Sequence, residues 1–141
     1  MTSKVLTRIS AVLIFIHLLG HSVGHFTWDK PKDSKMTDVV TSMKSYSAEF
    51  MGATKSMADY YSGYSLIMFG LFAMTMVVLW ILSNNISTNQ RLVKHLLLPI
   101  GTVYIYFGIV EYLHFFPFAA SLSLIAGLLT IFSTFKIKIQ N

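Results

Sequence analysis

Four long apolar stretches constrain this chain more than anything else in it. They run from about Ile9 to Phe26, Ser62 to Leu82, His95 to Phe116 and Pro117 to Phe135. The hydrocarbon core of a bilayer is about 30 Å thick and a helix rises about 1.5 Å per residue, so about 20 apolar residues suffice to cross it. Only 12% of the 141 residues are charged and 54% are hydrophobic. Soluble domains carry roughly 25% charged residues. The expected fold is therefore all-α: a single membrane domain built as a four-helix bundle, in contact with the lipid bilayer. The absence of cysteine excludes disulfides, thiolate metal sites and cysteine nucleophiles. A net charge of +5 reads as topology and anionic headgroups rather than as a nucleic-acid surface.

The basic residues orient the spans. Lys4 and Arg8 precede the first, Arg91 and Lys94 separate the second and third, and Lys136 and Lys138 follow the fourth. With four crossings all six fall on one side. By the positive-inside rule this is the cytoplasmic face of the cell (inner) membrane, with both termini there. The first span follows two basic residues as a signal peptide would, but HSVGHFTWDK is a poor cleavage context, so a retained helix is expected. The outer segment, 27–61, balances Lys30, Lys32, Lys35, Lys44 and Lys55 against Asp29, Asp33, Asp38, Glu49 and Asp59. Within it Met36, Val39, Val40, Met43, Tyr46 and Phe50 recur at steps of three and four. This predicts an amphipathic helix over about 36–51, capped by Ser34 or Thr37 and interrupted at Gly52. Such a helix rests on the membrane surface as a lid or gate. Trp28, Tyr60, Tyr61 and Tyr64 stand where an outer aromatic belt is expected.

Polar groups in hydrocarbon are costly and usually face an interior or a cavity. The ones needing an explanation are His17, His21, His25, Asp59, His95, Glu111 and His114. His17, His21 and His25 recur every four residues and share one stripe of the first helix. Gly20 and Gly24 lie on the same side as a small-xxx-small pair that lets another helix come close. On the third span Gly101, Tyr104, Gly108 and Glu111 form a matching face, with His114 three residues beyond. Counting inward from the expected exits at Phe26 and Phe116, His21 and Glu111 each lie about 7–8 Å below the outer boundary. His21, His25, Glu111 and His114 are thus expected in one layer, with Asp59 above and His17 below. His95, Arg91 and Lys94 read as inner-interface anchors, and Met68, Met74 and Met76 as packing.

Imidazole and carboxylate together suit a transition metal, zinc or iron, held by His21, His25, Glu111 and His114. A haem would take His21 or His25 with His114. The H-x3-H-x3-H run resembles the histidine boxes of membrane di-iron oxygenases. Those carry many more histidines than the five here, so three His plus Glu111 would make a mononuclear site. Without metal, Glu111 and His21 form an acid–base pair able to move a proton on a hydrophobic ligand, with His17, Tyr104 and Asp59 binding it.

IHLLGH, with His17 and His21, and TVYIYFGIVEYLHFF, with Glu111, resemble in layout the EXPERA-domain proteins, which include sterol isomerases. That resemblance implies four core helices, a partly helical outer segment, and roles for His17 and Glu111. The chain departs from it at His21, where an acidic residue is expected, and in lacking a Trp in the fourth helix; both departures argue against isomerase activity. The chain is also similar in kind to small bacterial four-helix membrane proteins. The alternative to a ligand or metal site is an accessory or assembly subunit of a membrane complex, or a transporter subunit. There the histidines join helices, and a homo-oligomer or larger complex forms.

Overall fold

The computed structural model describes residues 1–138. It contains five helices: α1 (Ser3–Thr27), α2 (Ser34–Ser45), α3 (Met57–Asn84), α4 (Gln90–His114) and α5 (Pro117–Lys136). Two short strands, β1 (Ser47–Phe50) and β2 (Ala53–Ser56), lie between α2 and α3. α1, α3, α4 and α5 are each long and apolar enough to cross a membrane, which marks the chain as a membrane protein. Large apolar side chains such as Phe15, Leu19, Ile67, Tyr106 and Phe132 stand exposed along them, as lipid-solvated helices require. The chain divides into two compact units, Met1–Leu19 with Phe72–Asn141, and Gly20–Leu71.

In the first unit α4 and α5 form a helical hairpin. Phe115 and Phe116 turn the chain, and Pro117 opens α5 at its first turn, where a missing N–H costs nothing. Glycines let the two backbones touch. A Cβ on Gly127 would lie 2.7 Å from the backbone N of Ile105, and one on Gly101 would lie 3.0 Å from the carbonyl O of Gly127. Gly108 presses likewise on Leu124. This is the small-residue packing that draws membrane helices together by van der Waals contact.

The α1–α5 seam of this unit is built from hydroxyls. α1 buries Ser3, Thr7, Ser10, Ile14 and His17, and α5 buries Ala119, Ser123, Ala126, Thr130 and Ser133. Both follow a 4-3-4-3 spacing that keeps one narrow stripe on the partner. Ser3 and Ser133 hydroxyls lie 2.6 Å apart, and Thr7 and Ser133 hydroxyls 2.8 Å apart. Ser10 donates to the Ala126 carbonyl at 3.0 Å, and Ser123 reaches His17 further along. The pairing order, Ser3 with Ser133 and His17 with Ser123, makes the helices antiparallel. At the Ser3 end, Arg8 donates to Asn84 at 2.9 Å and lies 4.8 Å over the Trp80 ring, joining α1 to the last turn of α3.

In the second unit, Asp33 caps α2 by accepting from the Met36 N–H at 2.8 Å, so neither Ser34 nor Thr37 is the cap. The helix ends at Ser45 rather than continuing to 51. Its apolar stripe stays largely uncovered: Val40 is buried, whereas Met36 and Val39 are exposed. The chain then folds back as a hairpin in register Ser47↔Ser56 to Phe50↔Ala53. Its two turn residues both have positive φ, 51° at Met51 and 80° at Gly52, as in a type I′ turn. The three- and four-residue recurrence of Tyr46 and Phe50 is therefore not helical: both are exposed, and no burial enforces that period. Gly20 and Gly24 also differ from expectation. Both are exposed, and a Cβ on either would meet nothing within 4 Å, so no helix among the described residues uses this pair for close approach.

Candidate functional site

Among the described residues His17 is the one buried histidine, 7% exposed on α1. Its Nε2 lies 3.5 Å from Glu111 Oε1 on α4, and its Nδ1 lies 3.1 Å from the Ser123 hydroxyl on α5. The ring packs on Phe72 of α3 with centroids 4.5 Å apart. Three helices thus fix the imidazole through both nitrogens and one face. With the proton on Nε2, the ring points its N–H at Glu111 while Ser123 donates to Nδ1; doubly protonated, it forms an ion pair with Glu111.

The expected face of α4 brings Gly101, Tyr104, Gly108 and Glu111 to the interior. The glycines meet α5, Tyr104 packs between Phe72 and Phe107 at ring distances of 6.4 and 5.5 Å, and Glu111 reaches His17. Two polar atoms here are buried without a hydrogen bond among the described residues: the Tyr104 hydroxyl and Glu111 Oε2. Thr75 stands beside the first and Ser123 beside the second. A buried polar group left unpaired costs about 1–3 kcal/mol. Native structures hold few of these, and each calls for an explanation.

The other residues singled out in the sequence have different surroundings. His21 and His25, in the second unit, converge on one residue of α3: His21 Nε2 lies 3.0 Å from both the carbonyl and the hydroxyl of Ser65, and His25 Nδ1 lies 2.9 Å from that hydroxyl. Both rings present edges to Phe69 at 5.2 and 5.3 Å. Asp59 closes a capping box at the start of α3, accepting from the Ser56 N–H at 2.9 Å while its own N–H donates to the Ser56 hydroxyl at 3.1 Å. The S-x-x-D spacing of Ser56 and Asp59 is the sequence signature of that motif. His114 and His95 are exposed. No group of three or more His, Asp or Glu among the described residues is arranged to hold a metal ion, so the set His21, His25, Glu111 and His114 gains no support as a metal centre.

Ser123 and Phe72 complete the His17 environment and were not foreseen. Ser123 lies in the fourth apolar stretch, which holds no ionisable residue. Its recurrence with Thr130 and Ser133 was the available signal. No family model, curated protein or solved structure matches this chain.

Proposed function

We propose that the protein is a multi-pass protein of the cell (inner) membrane, both termini cytoplasmic, that binds the polar end of a hydrophobic ligand at His17, Tyr104, Glu111 and Ser123. The observation that carries this reading is the pair of orphaned atoms, Glu111 Oε2 and the Tyr104 hydroxyl, beside an imidazole held on both nitrogens. A carboxylate and a phenol supply an acceptor and a donor, which suit a ligand hydroxyl or carbonyl. Entry of such a group replaces two unpaired atoms by hydrogen bonds, and the apolar walls at Phe72 and Phe107 suit its hydrophobic body. His17 and Glu111 can exchange a proton with the bound group, the arrangement general acid–base chemistry requires.

The test is mass spectrometry of small molecules retained by protein purified in mild detergent, compared with Glu111→Gln and Tyr104→Phe. Retention of a hydroxyl- or carbonyl-bearing amphiphile, lost in both variants while they remain folded, supports the reading. An identical set of bound molecules in all three proteins refutes it. A second reading holds for His21 and His25. Their shared grip on Ser65 suits histidines that join helices, as in a non-catalytic accessory subunit.

A further inference from the structure

Outside the His17 site, the second unit holds a cavity of about 450 Å³. It is open to the surface and lined by the last turn of α1 and the segment after it, by Lys44 at the end of α2, and by the first turns of α3. α1 and α3 are two of the helices long and apolar enough to cross a membrane, so in a bilayer their ends would stand near the headgroups. The lining is chemically divided. Phe26 and Leu66, 64% and 58% exposed, form an apolar flank continuous with the lipid-facing surface. Asp29, Asp59, Lys44 and Ser62 form the polar one, with His25, whose Nδ1 is taken up by the Ser65 hydroxyl, at its edge. Lys44 Nζ lies 3.1 Å from Asp29 Oδ2 and 5.9 Å over Trp28, whose ring packs at a tilt against Tyr61 with centroids 4.9 Å apart.

We propose that this cavity binds the headgroup of a phospholipid carrying a primary ammonium on a phosphodiester. The phosphate pairs with Lys44, and the ammonium donates to the carboxylates of Asp29 and Asp59. Two carboxylates against one lysine disfavour a purely anionic headgroup, while Lys44 gives the phosphate its counter-charge. The Asp59 cap uses Oδ2, which leaves Oδ1 for a donor. A primary ammonium has three N–H groups to give these carboxylates; a quaternary one has none. The acyl chains leave past Phe26 and Leu66.

Binding is measured by native mass spectrometry and thermal shift on the full chain in detergent, using dioctanoyl phosphatidylethanolamine, phosphatidylcholine and phosphatidylglycerol, and soluble phosphoethanolamine. The ethanolamine lipid is expected to bind about tenfold more tightly than the other two, the size of one charge-assisted hydrogen bond lost. Asp29→Asn is expected to abolish that preference, Lys44→Gln to weaken all three lipids alike, and Lys44→Arg to keep both affinity and preference. Phosphoethanolamine binding as tightly as the lipid assigns the same chemistry to a soluble ligand; its failure to bind assigns it to the membrane. Equal affinity for all three lipids, an unchanged preference in folded Asp29→Asn, or unchanged affinities in folded Lys44→Gln, overturns the proposal.

Discussion

Glu111 meets His17, with Oε1 and Nε2 3.5 Å apart, although the two stand at different distances from the ends of their helices. Glu111 is three residues from the end of α4 and His17 ten from the end of α1. A double-mutant cycle with His17→Gln and Glu111→Gln, followed by unfolding in mixed micelles, should give a coupling of roughly 0.6–1.7 kcal/mol, the range of interhelical hydrogen bonds in membranes. Glu111→Gln alone should cost about 1 kcal/mol or less, because the amide keeps the shape of the carboxyl and its oxygen can still accept from the His17 Nε2–H. A loss above about 3 kcal/mol would make the pair a structural joint rather than a ligand site.

The glycines separate into two kinds. Gly127→Ala drives a methyl group to 2.7 Å from the Ile105 backbone, so α4 and α5 must part, at a cost of about 1–3 kcal/mol. Gly20→Ala and Gly24→Ala meet open space and should be neutral or stabilising by up to about 1 kcal/mol. Melting temperatures of the three variants in one detergent check the contrast.

Met51 holds φ at 51° in the hairpin turn, a conformation costing an L-residue roughly 1–2 kcal/mol. Met51→Asn gives the Asn-Gly pair that a type I′ turn prefers. Amide exchange across Ser47–Ser56 should slow severalfold, with little change elsewhere. Faster exchange in the variant would contradict the turn geometry.

The hydrogen bond from Lys44 holds Asp29 below its usual carboxylate value of 3.8. A depressed carboxylate stabilises above its unfolded pKa and loses that contribution as pH falls through the folded one. The Asp29–Lys44 link, and with it the ammonium over Trp28, should therefore survive at pH 5 and open below the ordinary carboxylate range. Trp28 emission, recorded in a Trp80→Phe background, should change only there; a transition near pH 6 would point to a histidine instead.

The four spans were legible because length and apolarity are local properties that no partner must supply. The interior face of α4 was legible because Gly101, Tyr104, Gly108 and Glu111 keep one period along one helix. The partner of Glu111 was not: inferring depth from distance to the helix exits assumes equal overhang, and α1 and α4 end unequally relative to the pair. The α1–α5 seam was overlooked because serine and threonine can satisfy themselves, as Thr7 and Ser10 do on the carbonyls of Ser3 and Leu6. Such residues give no hydropathy alarm. Asp59 carried a readable capping signal that charge alone obscured.

The join between Ser3 and Ser133 spans 130 positions, from the first helix to the last. During synthesis α1 reaches the bilayer long before α5 exists, and its hydroxyls must wait on their own backbone. Completion of the first span's seam is thus deferred until α5 has been made, and a chain truncated before α5 would keep those hydroxyls on their own helix.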